Sequence, residues 1–267
     1  MDGSNKKSGA FEFLEVKPLK PKPRLEAVTI ANDRRLSHQQ VRSLVEVAGD
    51  TLDFIKMPDH YGLISRYSVD WLNEKIAIYH AGNILTTLGG ALYEVAVVQG
   101  RVREFFQRAS EIGFAGVEVS EDIVEPGDPL VRAEHIRMAV DLGMHVFSEI
   151  GRKFPDTPFN PVESAEIAMR DLEAGAHMIV FENSDIVQIM AEKGSGVHDF
   201  VKLMPFNRLI FEAGPNDRMA VVRWLFSEFG SRTNIENIEI EDAGAIAAMR
   251  EGLHRNVDFC YFDNMKT

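Results

Sequence analysis

Four short apolar runs dominate the middle of the chain, and each carries a glutamate towards its carboxyl end. They read Gly116-Val117-Glu118-Val119-Ser120, His145-Val146-Phe147-Ser148-Glu149, Met178-Ile179-Val180-Phe181-Glu182 and Arg208-Leu209-Ile210-Phe211-Glu212. Their glutamates fall 31, 33 and 30 residues apart, about one strand plus one helix each time. Runs this short and this apolar, separated by helix-period segments, fit parallel strands buried on both faces. If such strands close into a barrel, the residues at their carboxyl ends converge on one mouth. The spacing therefore predicts a ring of carboxylates around a single cleft that handles a metal or a proton, beside Lys56 from an earlier strand.

The rest of the chain extends the same rhythm. Strands are predicted at 27–31, 54–57 and 83–87 before the four runs, and at 234–238 after them. Helices lie between, started by caps such as Ser37, Pro161 and Asp242 and stopped by Gly49, Gly113, Gly143 and Gly175. Eight strand–helix units make a (β/α)8 barrel, a single domain over residues 25–267. Residues 1–24, polar and then basic and proline-spaced, are expected to be a solvated tail.

A formal net charge of −12 excludes a general nucleic-acid binder, which needs a basic face. A local cluster of Lys and Arg still permits a small anionic substrate. No apolar stretch approaches the length that spans a bilayer, and the first ten residues lack the apolar segment of an export signal. With one cysteine, Cys260, an intramolecular disulfide is impossible. A reducing cytoplasm is the expected location.

Several stretches resemble the phosphosulfolactate synthase family. The similarity lies in Asp53-Phe54-Ile55-Lys56, Gly89-Gly90-Ala91-Leu92-Tyr93-Glu94, Ser148-Glu149-Ile150-Gly151-Arg152-Lys153, Asp171-Leu172-Glu173-Ala174-Gly175-Ala176 and Ile210-Phe211-Glu212-Ala213. The resemblance implies a (β/α)8 lyase or synthase that, with magnesium, adds sulfite to phosphoenolpyruvate on a route to coenzyme M, and that associates as a homo-oligomer. The chain departs from the family pattern in three places, the first being Asp33-Arg34-Arg35, where the family carries a lysine after the first strand's Asp. Pro58-Asp59-His60-Tyr61-Gly62 stands where the family carries a Gly-Trp-Gly-Thr-Ser type loop, and Glu182-Asn183-Ser184-Asp185 lacks the arginine of the family's Gly-Arg-Glu-Ser-Gly. These departures open two alternatives, a related addition or elimination on another small anionic acid, or an inactive barrel with a stress or interaction role.

Glu118, Glu149, Glu182 and Glu212 are the candidate magnesium ligands, since the hard ion takes oxygen donors. The bland alternative is that some of them pair with Lys or Arg inside the barrel. Lys56, Glu149 and Glu182 are the candidate catalytic residues. Lys56 either binds an anionic substrate, forms a Schiff base if burial lowers its pKa, or neutralises the acidic ring. Asp33, Ser120, Arg152, Lys153, Arg218 and Asn234 join Lys56 as candidate substrate contacts. Arg218 and Asn234 stand for a weak phosphate site after strands seven and eight, because the acids of strand eight, Glu236, Glu239, Glu241 and Asp242, would repel phosphate. Gly89-Gly90 reads either as a phosphate-cradling fragment or as a plain turn. His60 and Tyr61 are either an acid–base pair or a surface loop.

Overall fold

A computed structural model of the chain describes residues 10–11, 13–14, 16, 19–58, 62–154 and 157–265. Eight parallel strands close into one barrel in chain order. They are β1 (Thr29–Asn32), β2 (Phe54–Met57), β3 (Leu85–Leu88), β4 (Gly116–Val119), β5 (His145–Ile150), β6 (Met178–Phe181), β7 (Leu209–Glu212) and β8 (Ile235–Glu239). The surrounding helices are α1 (His38–Ala48), α2 (Leu63–Arg66), α3 (Val69–Ala81), α4 (Gly90–Val98), α5 (Val102–Ile112), α6 (Pro129–Asp141), α7 (Pro161–Glu173), α8 (Asn183–Glu192), α9 (Gly196–Leu203), α10 (Arg218–Phe229) and α11 (Ala243–Arg250). No helix among the described residues is long and apolar enough to cross a membrane.

The two-residue period of the strands divides the interior into two apolar bodies. Outward-facing Ala31, Ile55, Val117, Val146, Ile179 and Phe211 join the helices in the larger core. Inward-facing Ile30, Phe54, Phe147, Met178, Val180 and Ile210 form a smaller plug in the barrel itself. Continuing those inward rows by two residues reaches Asn32, Lys56, Glu149, Glu182 and Glu212. The ring is thus the polar layer stacked directly on an apolar floor, and the floor excludes water from below.

Local chemistry sets the helix limits. Ser37 caps α1 in a full capping box with Gln40, Asp128 caps α6 and Asn160 caps α7. Gly113 ends α5 in the left-handed region at φ 99°. The short helices α2 and α9 escape prediction because a turn or two of helix shows no sustained periodicity.

One expectation changes. The end of the expected tail is docked: Lys22 Nζ donates to the carbonyls of Gly49 and Asn83 (2.6 and 2.8 Å), and buried Arg24 pairs with Asp53 at 2.8 Å. Both cations satisfy groups at the amino end of the barrel, where the carbonyl ends of α1 and α3 lie.

Candidate active site

Lys56, at the carboxyl end of β2, is buried to 5% exposure and bridges two strands' acids. Its Nζ lies 2.7 Å from Glu118 Oε2, 2.8 Å from Glu236 Oε1 and 4.0 Å from Glu212 Oε1. Burial alone would push the lysine down, but Glu118, Glu236, Glu212 and Glu149 outweigh it and hold the ammonium well above the usual lysine value. Two carboxylates at ion-pair distance favour the charged ammonium, and with it the ion-pair reading of Lys56 over the Schiff-base one.

The opposite side of the ring is short of positive charge. Asp122, Glu149 and Glu182 each bring a carboxylate oxygen within 4.8 Å of the others. Glu149 Oε1 and Glu182 Oε2 are buried with no hydrogen bond from an amide, hydroxyl or ammonium group, which leaves only neighbouring carboxyl groups to bond them. Lys153 Nζ forms an ion pair with Asp122 Oδ2 and stands 3.8 Å from Glu182 Oε2. Among the described residues, six carboxyl groups (Glu118, Asp122, Glu149, Glu182, Glu212 and Glu236) therefore face two ammonium groups, Lys56 and Lys153. Like charges this close cannot all ionise in a dry cavity. Burial, the charge of Glu118 and the hydrogen bond to Glu182 hold Glu149 well above the carboxylate range, and burial with the charge of Glu182 does the same for Glu212. Burial would raise Glu182 too, but hydrogen bonds from Glu149 and Glu212 and the charge of Lys153 pull it down to about 2. Burial lifts Glu236 to about 7 against the pull of Lys56.

Backbone and second-layer groups aim these side chains. Glu182 caps α8 by accepting from the Ser184 amide at 3.2 Å. Glu212 accepts from the Asn183 amide at 3.1 Å and from Asn237 Nδ2. The Gly90 amide, first in α4, donates to Glu118 Oε1 at 2.8 Å, so the Gly89-Gly90 turn spends its helix N-terminus on the chain's own carboxylate. Arg132 reaches from α6 to Ser148 Oγ (2.7 Å) and the carbonyl of Glu149 (2.8 Å) and pairs with Asp171 at 2.9 Å, clamping the end of β5 from behind.

The other sequence candidates scatter. Asp33 is buried, and its oxygens are taken by Lys75 (2.6 Å), Tyr79 (2.8 Å) and the amides of Arg35 and Leu36, which makes it the fastening of the β1–α1 loop. Ser120 Oγ donates to Glu94. Arg152 pairs with exposed Glu125 at 3.3 Å. Arg218 is held by Asp242 at 2.6 Å and lies 3.7 Å from Glu239, which also binds Arg34 at 2.6 Å, so the acids of strand eight hold arginines at the mouth. Asn234 is a correction: it bonds the amide of Val28 and the carbonyl of Leu209 (both 2.9 Å) at the amino ends of β1 and β7, on the side of the barrel away from the ring. His60 and Tyr61 lie outside the described residues.

Glu236, Asp122 and Glu94 join the site unforeseen. The register of β8 against β1 shifts between Thr29 and Ala31, and Asn237 adopts φ 56°. This bulge turns both Glu236 and Asn237 inward, which strict alternation forbids. Asp122 sits in a loop with no periodicity, and its only signal is the acidic pair Glu121-Asp122 directly after β4.

The family profile for (2R)-phospho-3-sulfolactate synthase (ComA) matches residues 17–256. The chain belongs to the phosphosulfolactate synthase family. The phosphosulfolactate synthase of Methanothermobacter thermautotrophicus is 31% identical over 253 residues, covering 91% of this chain and 95% of that one. The phosphosulfolactate synthases of Methanocaldococcus jannaschii and Bacillus subtilis are each 28% identical, over 91% and 89% of this chain and 96% and 94% of theirs. Among solved structures, orotidine 5'-phosphate decarboxylase from Pyrococcus horikoshii superposes with a TM-score of 0.54 at 9% identity, covering 83% of this chain and 98% of that chain. Type I 3-dehydroquinate dehydratase from Clostridium difficile gives 0.53 at 11%, covering 89% and 97%. These likenesses show the barrel fold alone. Buried Asp185, in the first turn of α8, accepts from the Arg152 amide at 3.1 Å and is raised by burial to about 6.

Proposed function

We propose that this chain uses magnesium to add sulfite to phosphoenolpyruvate, forming a phosphosulfolactate. Family membership supports the reaction class. The observation that carries the reading is the cluster of Asp122, Glu149 and Glu182, with two buried carboxylate oxygens that no amide, hydroxyl or ammonium group hydrogen-bonds. An all-oxygen set with spare lone pairs and excess negative charge fits a hard divalent ion. Asp122, Glu149 and Glu182 would hold the ion, which when bound supplies Lewis-acid charge for the substrate's carboxylate and phosphate.

The chain's own residues do the rest. Lys56 keeps Glu118 and Glu236 in place and offsets their charge. Lys153, Arg34 and Arg218, held by Asp122, Glu239 and Asp242, are the cations that an arriving phosphate would share with those acids. The carbon–sulfur bond forms at the methylene carbon, and the neighbouring carbon that bears the phosphate oxygen takes one proton. Glu212, outside the trio and oriented by the Asn183 amide and Asn237, with its carboxyl pushed up by burial and Glu182, is the proposed source. The apolar floor keeps bulk water from the reacting carbons.

A second reading, addition or elimination on another small anionic acid, is favoured by the stretch Glu182-Asn183-Ser184-Asp185 after β6, which lacks the arginine of the family pattern. An inactive scaffold is disfavoured, because unpaired buried carboxyl groups cost stability. Phosphorus-31 NMR of phosphoenolpyruvate with sulfite and magnesium tests the proposal. We expect a new phosphoester signal that requires magnesium and that Glu149→Gln slows at least about 100-fold. No product from well-folded protein would refute it.

A further inference from the structure

We infer that Glu94 is a positioning residue whose carboxylate sets the place of Asp122, and through it the spacing of the three-carboxylate cluster; the inference rests on the metal reading above. Glu94 projects from α4 and is only 2% exposed. Its Oε1 accepts from Ser120 Oγ and from the Asp122 amide at 3.2 Å. Its Oε2 accepts from the amides of Ile123 and Val124 at 2.9 and 2.7 Å. Three consecutive backbone N–H groups converging on one anion form a nest, the arrangement that elsewhere binds phosphate or another free anion. Here the chain supplies the anion itself.

The β4–α6 loop depends on this contact. Among the described residues, no backbone-to-backbone hydrogen bond involves residues 120–127, so the carboxylate replaces the secondary structure the loop lacks. Held this way, Asp122 presents one oxygen to the Lys153 amide at 2.6 Å and the other to Lys153 Nζ, which draws the β5–α7 loop to the same point. The same helix fixes Glu118 through the Gly90 amide, at 2.8 Å. One helix therefore sets both an ion-pair partner of Lys56 and a member of the metal cluster. Groups that orient metal ligands are worth about 10–100-fold in metal affinity.

Glu94→Ala removes the anion and leaves a hole shaped for a small free carboxylate. Three readouts apply to the full chain: amide hydrogen exchange at residues 122–124, Mn2+ affinity, and turnover of phosphoenolpyruvate with sulfite. We expect faster exchange at those amides with the barrel strands unchanged, Mn2+ affinity lowered about 10–100-fold, and saturable restoration of both by acetate, which leaves the wild type unaffected. Glu94→Gln keeps the volume but turns an N–H donor towards the nest, and is expected to show the loss without the rescue. It also serves if the alanine variant does not fold. Unchanged Mn2+ affinity beside faster exchange would overturn the positioning role and leave the metal reading intact, as would unchanged exchange. If the wild type itself binds no Mn2+, the metal reading fails. The positioning role then stands only if Glu94→Ala alters both exchange and turnover and acetate restores them, and falls otherwise.

Discussion

Glu236 shows how far one buried side chain couples stability to pH. Burial lifts it from 4.5 to about 7, so between those values the folded protein keeps a proton that the unfolded chain has released. Its contribution to stability is fully present below pH 4.5 and is lost as pH rises through 7. By linkage the change amounts to roughly 2–4 kcal/mol. His177, pushed down to about 4 by burial, works in the opposite sense over part of that range, so the informative quantity is a difference between variants. Urea unfolding of wild type and Glu236→Gln should show the balance moving towards the variant by that amount between about pH 4.5 and 8. A constant difference would mean that Glu236 is solvated and does not belong to the ring. At this scale the sequence was informative only where position recurs. Glu118, Glu149, Glu182 and Glu212 repeat with the strand–helix unit, and Lys56 ends a strand. Glu94, Asp122 and Glu236 come from a helix, a loop and a bulge, whose contributions to a site follow from three-dimensional packing.

The elements place the site through contacts that leave no space. A Cβ on Gly90 would run into the Ser120 side chain and come within 3.0 Å of Glu118 Oε1. Gly90 thus lets α4 begin against β4 and aim its first amide at Glu118. Gly90→Ala should cost about 1–3 kcal/mol and reduce turnover more than an alanine change on the outer face of α4 such as Val98→Ala, measured by urea midpoint and by steady-state kinetics. Equal turnover in the two variants would show that the close approach is packing alone. The strands and most helix limits were legible because caps, stop glycines and apolar periods are local signals. The docking of Lys22 and Arg24 under the barrel was not, since a basic proline-spaced segment reads as solvated until the carbonyl ends it caps are in view.

At the scale of the whole molecule, the eight-fold closure turns four recurring glutamates into one acidic layer above an apolar plug, in a barrel whose family is that of the phosphosulfolactate synthases. The closed barrel was legible because 30-residue spacing and doubly buried strands leave few other architectures. The substrate-facing loops were less so, because their roles depend on which cations the ring and the strand-eight acids already hold. In the proposed function, a net-negative ring recruits a divalent ion to accept anionic substrates. Anomalous diffraction from crystals soaked in Mn2+ tests this most directly. One strong peak is expected, with oxygens of Asp122, Glu149 and Glu182 within about 2.2 Å of it; no peak among these three carboxylates would contradict a metal-recruiting ring.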